Sequence, residues 1–275
     1  MPILTIITIN YNNAEGLQKT MESILNQTSN DFEYIIVDGK SGDASVEIIR
    51  KFEGLKVRDF LWISEKDLGI YHAMNKGIEL AKGEYIQFVN SGDLLAANDV
   101  TARMLEKLEV LRSESEVNIL YGNMLKPYKG KIIQDKGFAG RQPAMHDFYN
   151  GTLNHSPTYI KRSLFDKYGL YDQNLKIVSD WKWFLQAIAF NQIQIAYYDI
   201  DVTIFDMTGI STVNSSLDKA ERRRVLEEML PLSVLHDYDQ YAYSMNQLKR
   251  INRYWISRKL FFLMERMLFK MEKRF

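Results

Sequence analysis

Four short apolar runs, each closed by a polar cluster and spaced by helix-length segments, set the strongest limit on how this chain can fold. Residues 3–9 (ILTIITI) are apolar and β-branched, and residues 32–37, 60–63 and 84–89 repeat the pattern. Runs of this length with so few charges fit strands buried on both faces. Between them, residues 14–26 carry Leu17, Met21, Ile24 and Leu25 at helical spacing, and residues 45–52 and 70–81 also read as helices. Strands alternating with helices predict an α/β fold, with a parallel sheet flanked by helices. In such sheets ligands bind beyond the carboxyl ends of the strands. That rule puts residues 10–13, 38–43, 65–69 and 90–93 along one edge.

The pattern changes after residue 100. Residues 100–112 read as a helix, and residues 118–125 and 131–134 as a hairpin around 127–130. Residues 163–168 and 180–190 read as short helices, 193–198 and 202–205 as two strands, and 217–236 and the basic tail as helices. No internal repeat or low-complexity linker interrupts the chain.

Composition excludes several chemistries. There is no cysteine, which removes disulfides, thiolate metal sites and cysteine nucleophiles. Lys+Arg and Asp+Glu both number 35, so no whole-protein field favours nucleic acid. Strand one is followed by Asn10-Tyr11-Asn12-Asn13 rather than G-x-G-x-x-G, which argues against ordinary dinucleotide binding. A P-loop and a G-x-S-x-G elbow are also missing. No apolar run approaches the roughly 18 residues of a membrane span, and the N-terminus has no basic region ahead of its apolar run. The chain reads as cytoplasmic, either soluble or peripheral to a membrane.

The predicted edge is rich in oxygen ligands: Tyr11, Asn12, Asp38, Asp43, Glu65, Asp67 and Asp93. Each strand-end Asp or Asn alone is explained as a turn former. Together they repel unless a cation joins them, and carboxylates with few imidazoles favour Mg2+ or Mn2+.

Four segments carry a resemblance: TIITINYNNAEGLQKTMESILNQ, EYIIVDGKSGDAS, ISEKDLGIYHAMNKGIELAKGEYIQFVNSGDLL and YDQNLKIVSDWKWFL. They are similar to the family 2 glycosyltransferases of the GT-A fold, in the branch of bacterial polysaccharide assembly of the colanic-acid type. The resemblance implies a catalytic domain over residues 1–214, with a nucleotide-binding half (1–100) and an acceptor half (101–214), followed by a helical extension over 215–275. It implies an inverting transferase of hexosyl type that moves a sugar from a nucleotide-diphosphate sugar, by family habit a UDP-sugar, to a hydroxyl of a glycan or lipid-linked acceptor. Thr8, Asn10 and Tyr11 would line the nucleobase pocket, and Asp38 would accept from the base imino group. Lys66, Asp67, Asn90 and Ser91 would touch the donor. The family's metal motif has two acids, and here it reads Asn90-Ser91-Gly92-Asp93, so Asp93 is the expected ligand of Mn2+ or Mg2+. Asp180 would be the general base; an N-cap is its competing reading. His155 would lie near acceptor or phosphates, and Ser211, in a Gly-Ile-Ser segment, near the diphosphate. The alternatives are a nucleotidyltransferase on a similar sheet and a catalytically inactive, membrane-tethered scaffold.

Residues 246–275 hold nine bases against Glu265 and Glu272, mixed with Trp255 and a run of Leu, Phe and Met. Such a segment suits an anionic membrane surface, here the inner face of the plasma membrane; a helix packed on the catalytic domain or a partner chain is the competing reading.

Overall fold

A computed structural model describes residues 2–54, 59–114, 117–209 and 214–272. The chain divides into two compact units, residues 1–222 and 223–275.

The first unit is built on one nine-stranded sheet. Strands β1 (Leu4–Asn10), β2 (Phe32–Asp38), β3 (Asp59–Ser64) and β4 (Tyr85–Phe88) run parallel in the order β3-β2-β1-β4. Every residue of β1 and β2 is buried, as unbroken apolar runs require. Helices α1 (Ala14–Leu25), α2 (Ser45–Lys51) and α3 (Ile70–Leu80) are the crossovers. Leu17, Met21 and Ile24 of α1 join Leu4, Ile6, Phe32, Tyr34 and Ile36 in the core. Asn13 caps α1, its Oδ1 accepting from Gly16 N at 3.2 Å.

Beyond β4 the sheet becomes mixed. β5 is the short pair Leu94–Leu95, followed by α4 (Val100–Glu114), β6 (Ile119–Tyr128) and β7 (Lys131–Asp135). β6 and β7 form the expected hairpin, closed by Lys129 and Gly130 at φ +49° and +74°, as a two-residue type I′ turn demands. Three further elements precede the next stretch of chain: α5 (Met145–Asn150), β8 (Thr158–Lys161) and α6 (Ser163–Tyr168). The first two were not expected from the sequence. β8 enters antiparallel between β4 and β6, so its start lies beside the end of β4.

Three expectations need correction. Residues 180–190 are not one regular helix: α7 (Ser179–Phe184) continues as a π-helix over Leu185–Phe190. The two strands expected over 193–205 are one, β9 (Ile195–Ile204), because Asp199 and Asp201 find partners in Asn123, Gln134 and Lys136 instead of breaking it. The helix expected over 217–236 is broken at Pro231, where α8 (Ser215–Met229) gives way to α9 (Leu232–Arg253). In the second unit α9 is followed by α10 (Trp255–Glu272).

Helix α3 lies against β1 through Gly77, where a Cβ would stand 2.6 Å from Ile7 Cγ2. Gly77→Val should therefore overpack this layer and lower stability by about 1–3 kcal/mol, read as a lower urea midpoint with an unchanged slope.

Candidate active site

The parallel strands end in register, with Asn10 beside Asp38 and Asp38 beside Ser64. Asp38 is wholly enclosed. Its Oδ1 accepts from Asn10 Nδ2 (2.8 Å) and Ser41 Oγ (2.6 Å), and its Oδ2 from Ser41 N (3.0 Å) and Ser64 Oγ (2.6 Å). Burial opposes the charge, but these donors outweigh it and hold the carboxyl below its ordinary range. Thr8 is also wholly buried, donating to Val89 O at 2.7 Å and accepting from Tyr34 Oη at 3.1 Å.

A cavity of about 1060 Å³ opens over these strand ends. Asn10, Tyr11, Lys66, Asp67, Asn90, Ser91, Asp93, His155 and Asp180 all line it. Thr8 and Asp38 do not; they stand behind the wall with their polar atoms engaged, which corrects their expected place on it. Ser211 lies outside the described residues. At one end the Tyr11 ring is 68% exposed, free to cover a flat ligand. Beside it Asn10 Oδ1 is buried without a hydrogen-bond partner. Asp67 Oδ1 accepts from Lys76 Nζ at 2.8 Å, and Lys76 also pairs with Glu65. Lys66 is exposed on the wall.

Asp93 is buried under the middle of the cavity, and its Oδ1 accepts from Asp206 N at 2.8 Å. Burial pushes its carboxyl up to about 7, against the lowering effect of that bond and of nearby His155; the Asp206 charge adds to the rise. Gly92 permits this crowding: its φ is +107°, and a Cβ there would meet Asp206 Oδ2. Among the described residues no three His, Asp or Glu side chains form a ready metal cage. Asp93 and Asp206 do bring two carboxylates to one point of the wall. That is the protein share of a hard-cation site completed by substrate phosphates and water. The residues fit a cation held jointly with a diphosphate rather than by protein alone.

Helix α7 begins at Ser179, and Val178 is its N-cap with no side-chain cap bond. Asp180 is therefore not an N-cap. Its Oδ2 lies 3.0 Å from His155 Nδ1, and its Oδ1 2.9 Å from Tyr71 Oη. Burial opposes its charge, yet His155, Tyr71 and the Trp181 N–H outweigh that and keep the carboxyl below its ordinary range. Tyr71 Oη shares its proton with Ile177 O at 2.5 Å, and Asn75 exchanges two hydrogen bonds with the Tyr171 backbone. Glu221 receives the N–H groups of Lys176 and Ile177. These contacts anchor the segment leading into Asp180.

Tyr71, Asp206 and Glu221 were missed in the sequence. Asp206 follows a strand just as Asp93 does, and that shared pattern was the available signal. Tyr71 and Glu221 sit inside helical patterns that read as core or solvated faces, and nothing local marks them.

Residues 5–169 match the model of glycosyl transferase family 2. The chain is 30% identical over 190 residues to an uncharacterized glycosyltransferase of Mycobacterium tuberculosis, covering 68% of this chain and 69% of that one. It is 25% identical over 226 residues to a PGL/p-HBAD biosynthesis glycosyltransferase of Mycobacterium bovis, covering 82% and 84%. Among solved structures it resembles S. aureus TarS 1-349 in complex with UDP, with TM-score 0.59 and 18% identity, covering 74% of this chain and 60% of that one. It also resembles the mannosyltransferase PcManGT from Pyrobaculum calidifontis in complex with GDP-Man and Mn2+, with TM-score 0.56 and 19% identity, covering 74% and 56%. The fold is of the GT-A type, and the matched family is one of glycosyltransferases. The chain belongs to glycosyl transferase family 2. That membership argues against the nucleotidyltransferase alternative.

The raised Asp93 carboxyl has a consequence for stability. The folded chain keeps this proton to about pH 7, whereas the unfolded chain releases it near 3.8. Between those values the folded state binds more protons, so stability falls as pH rises through the window. Asp93→Asn keeps an acceptor for Asp206 N–H and removes the titration. In EDTA the variant should melt with wild type near pH ~4 and several degrees above it near pH ~8, measured by calorimetry across that range.

Proposed function

We propose that this chain is an inverting glycosyltransferase that moves a sugar from a nucleoside-diphosphate donor, of UDP type, to a hydroxyl of a glycan or lipid-linked acceptor in polysaccharide assembly of the colanic-acid type. The observation that carries the reading is that Asp180 and Asp93 line one cavity with His155 between them, together with the exposed Tyr11 ring and with Asn10, whose amide oxygen has no partner. Complexes of fold neighbours with UDP and with GDP-Man and Mn2+ support the choice of donor class.

Tyr11 stacks on the nucleobase at the exposed end of the cavity. Asn10 Oδ1, rather than the enclosed Asp38, is the free acceptor for a base N–H, and Asp38 holds the Asn10 amide in that orientation. Asn90 and Ser91 face the ribose and diphosphate, and Lys66 offsets diphosphate charge. Asp67, tied to Lys76, contacts the sugar. Asp93, with Asp206, would hold a Mg2+ or Mn2+ ion, which would neutralise charge on the leaving diphosphate. Asp180 takes the acceptor hydroxyl proton as that oxygen bonds to the anomeric carbon, the anomeric C–O bond to the diphosphate breaks, and configuration inverts. The Ser211 segment and the boundary between catalytic domain and helical extension at residue 214 complete the reading as proposals.

Two measurements test it. UDP with Mn2+ should raise the melting temperature more than UDP alone, and more than GDP or CTP with Mn2+. Asp180→Asn should keep that shift while losing roughly 100-fold or more in transfer. If no nucleotide stabilises the protein, the donor assignment is wrong.

The tail contributes location. Leu260, Leu263, Met264, Met267 and Leu268 recur at one-face spacing on α10 and are all exposed, with Lys259 and Arg266 on the other side. No helix among the described residues is long and apolar enough to cross a membrane. This is the pattern of a helix lying in an anionic interface, and it supports peripheral contact through residues 246–275 with the inner face of the plasma membrane. Removing residues 255–275 should lower cosedimentation with phosphatidylserine vesicles by at least about tenfold at low salt; unchanged binding would sink the membrane contact.

A further inference from the structure

Asp180 has two carboxylate oxygens, and each meets a donor from a distant part of the chain. Tyr71, in the first turn of α3, shares its one hydroxyl proton between Ile177 O at 2.5 Å and Oδ1 at 2.9 Å. His155, in the loop entering β8, presents Nδ1 to Oδ2 at 3.0 Å. Burial and the Asp180 charge raise the Tyr71 hydroxyl well above its ordinary value, so it remains a donor. The His155 ring is itself held from behind. Its Nε2 lies 3.2 Å from Asn90 Nδ2, and Asn90 Oδ1 is buried without a partner. An amide turned over keeps its shape while exchanging donor for acceptor. Asn90 can therefore serve a neutral ring through N–H or a protonated ring through its oxygen.

We propose that His155 is the positioning residue of the base: its Nδ1–H, with the Tyr71 hydroxyl, fixes the plane of the Asp180 carboxylate against the acceptor hydroxyl. The inference rests on Asp180 being the base. An aspartate near the start of a helix has two free torsions, and two donors remove both, so the carboxylate waits in its working orientation. Each oxygen spends one lone pair on its donor and keeps another for the acceptor hydroxyl. The acceptor proton ends on Asp180, the Nδ1–H stays on the ring, and the leaving diphosphate takes the electrons of the broken anomeric bond. His155 also faces Asp93, so it lies between two carboxylates. Burial works against its charge, but those two neighbours outweigh burial and raise the ring above its ordinary value.

The test uses the full-length protein in two arms. Nitrogen-15 NMR of the imidazoles, simplified by there being only four histidines, should show a hydrogen-bonded Nδ1–H on His155 that weakens in Asp180→Asn. Turnover of the nucleotide-sugar chosen by a donor panel should fall roughly 100-fold in kcat for His155→Leu, with UDP affinity in Mn2+ unchanged within about twofold. His155→Asn, whose amide N–H reaches the Nδ1 position, should regain about tenfold of that loss. The proposal is overturned if His155→Asn is as slow as His155→Leu, if UDP affinity falls in step with kcat, or if the ring signal ignores Asp180→Asn. If instead Asp180→Asn itself keeps its kcat, the base assignment fails, and the imidazole spectra still report separately on whether the His155–Asp180 bond exists.

Discussion

Much of this site depends on the shared register of three parallel strands. Because β1, β2 and β3 are paired without slip to their last residues, Asn10, Asp38 and Ser64 stand side by side where the sheet stops. Asp38 is fully enclosed there, and a carboxylate in that position persists only if donors surround it. Asn10, Ser41 and Ser64 do so. The same bonds hold the Asn10 amide, whose oxygen is buried without a hydrogen-bond partner. A slip of one residue in any pair would turn these side chains into the helix layers and undo the corner.

Two other carboxylates of the cavity follow different rules. Asp93 and Asp180 are both shielded carboxylates, yet they are pushed in opposite directions. Asp93 has one backbone donor and an acidic neighbour, and its proton is held. Asp180 has an imidazole, a phenol and a helix N–H, and its charge is held. Two like groups in one pocket are thus set to opposite charge states by what surrounds them.

Strands β1, β2 and β4 were legible because burial on both faces leaves nearly unbroken apolar runs; β3, partly exposed at the sheet edge, was legible from its short apolar run although it is not buried on both faces. The second half was harder for a stated reason. Asp199 and Asp201 look like a break between strands, but Asn123, Gln134 and Lys136, distant in sequence, satisfy them and the strand continues. Likewise Asp93, His155 and Asp180 could each be singled out from the sequence. That His155 touches both Asn90 and Asp180 could not, because it depends on β8 entering antiparallel beside β4. Thr8 and Asp38 were placed one layer too far forward, since a strand-end position alone does not say whether a side chain faces the cavity or the next strand.

Glu221 carries a consequence for how the chain matures. Its carboxylate ties down the backbone of Lys176 and Ile177, immediately ahead of Asp180, from a helix that begins only at Ser215. A chain emerging from the ribosome completes the sheet and the donor edge before that helix exists. The segment leading into Asp180 thus gains this anchor only once residue 221 has been made, after every strand of the sheet is already present in the chain.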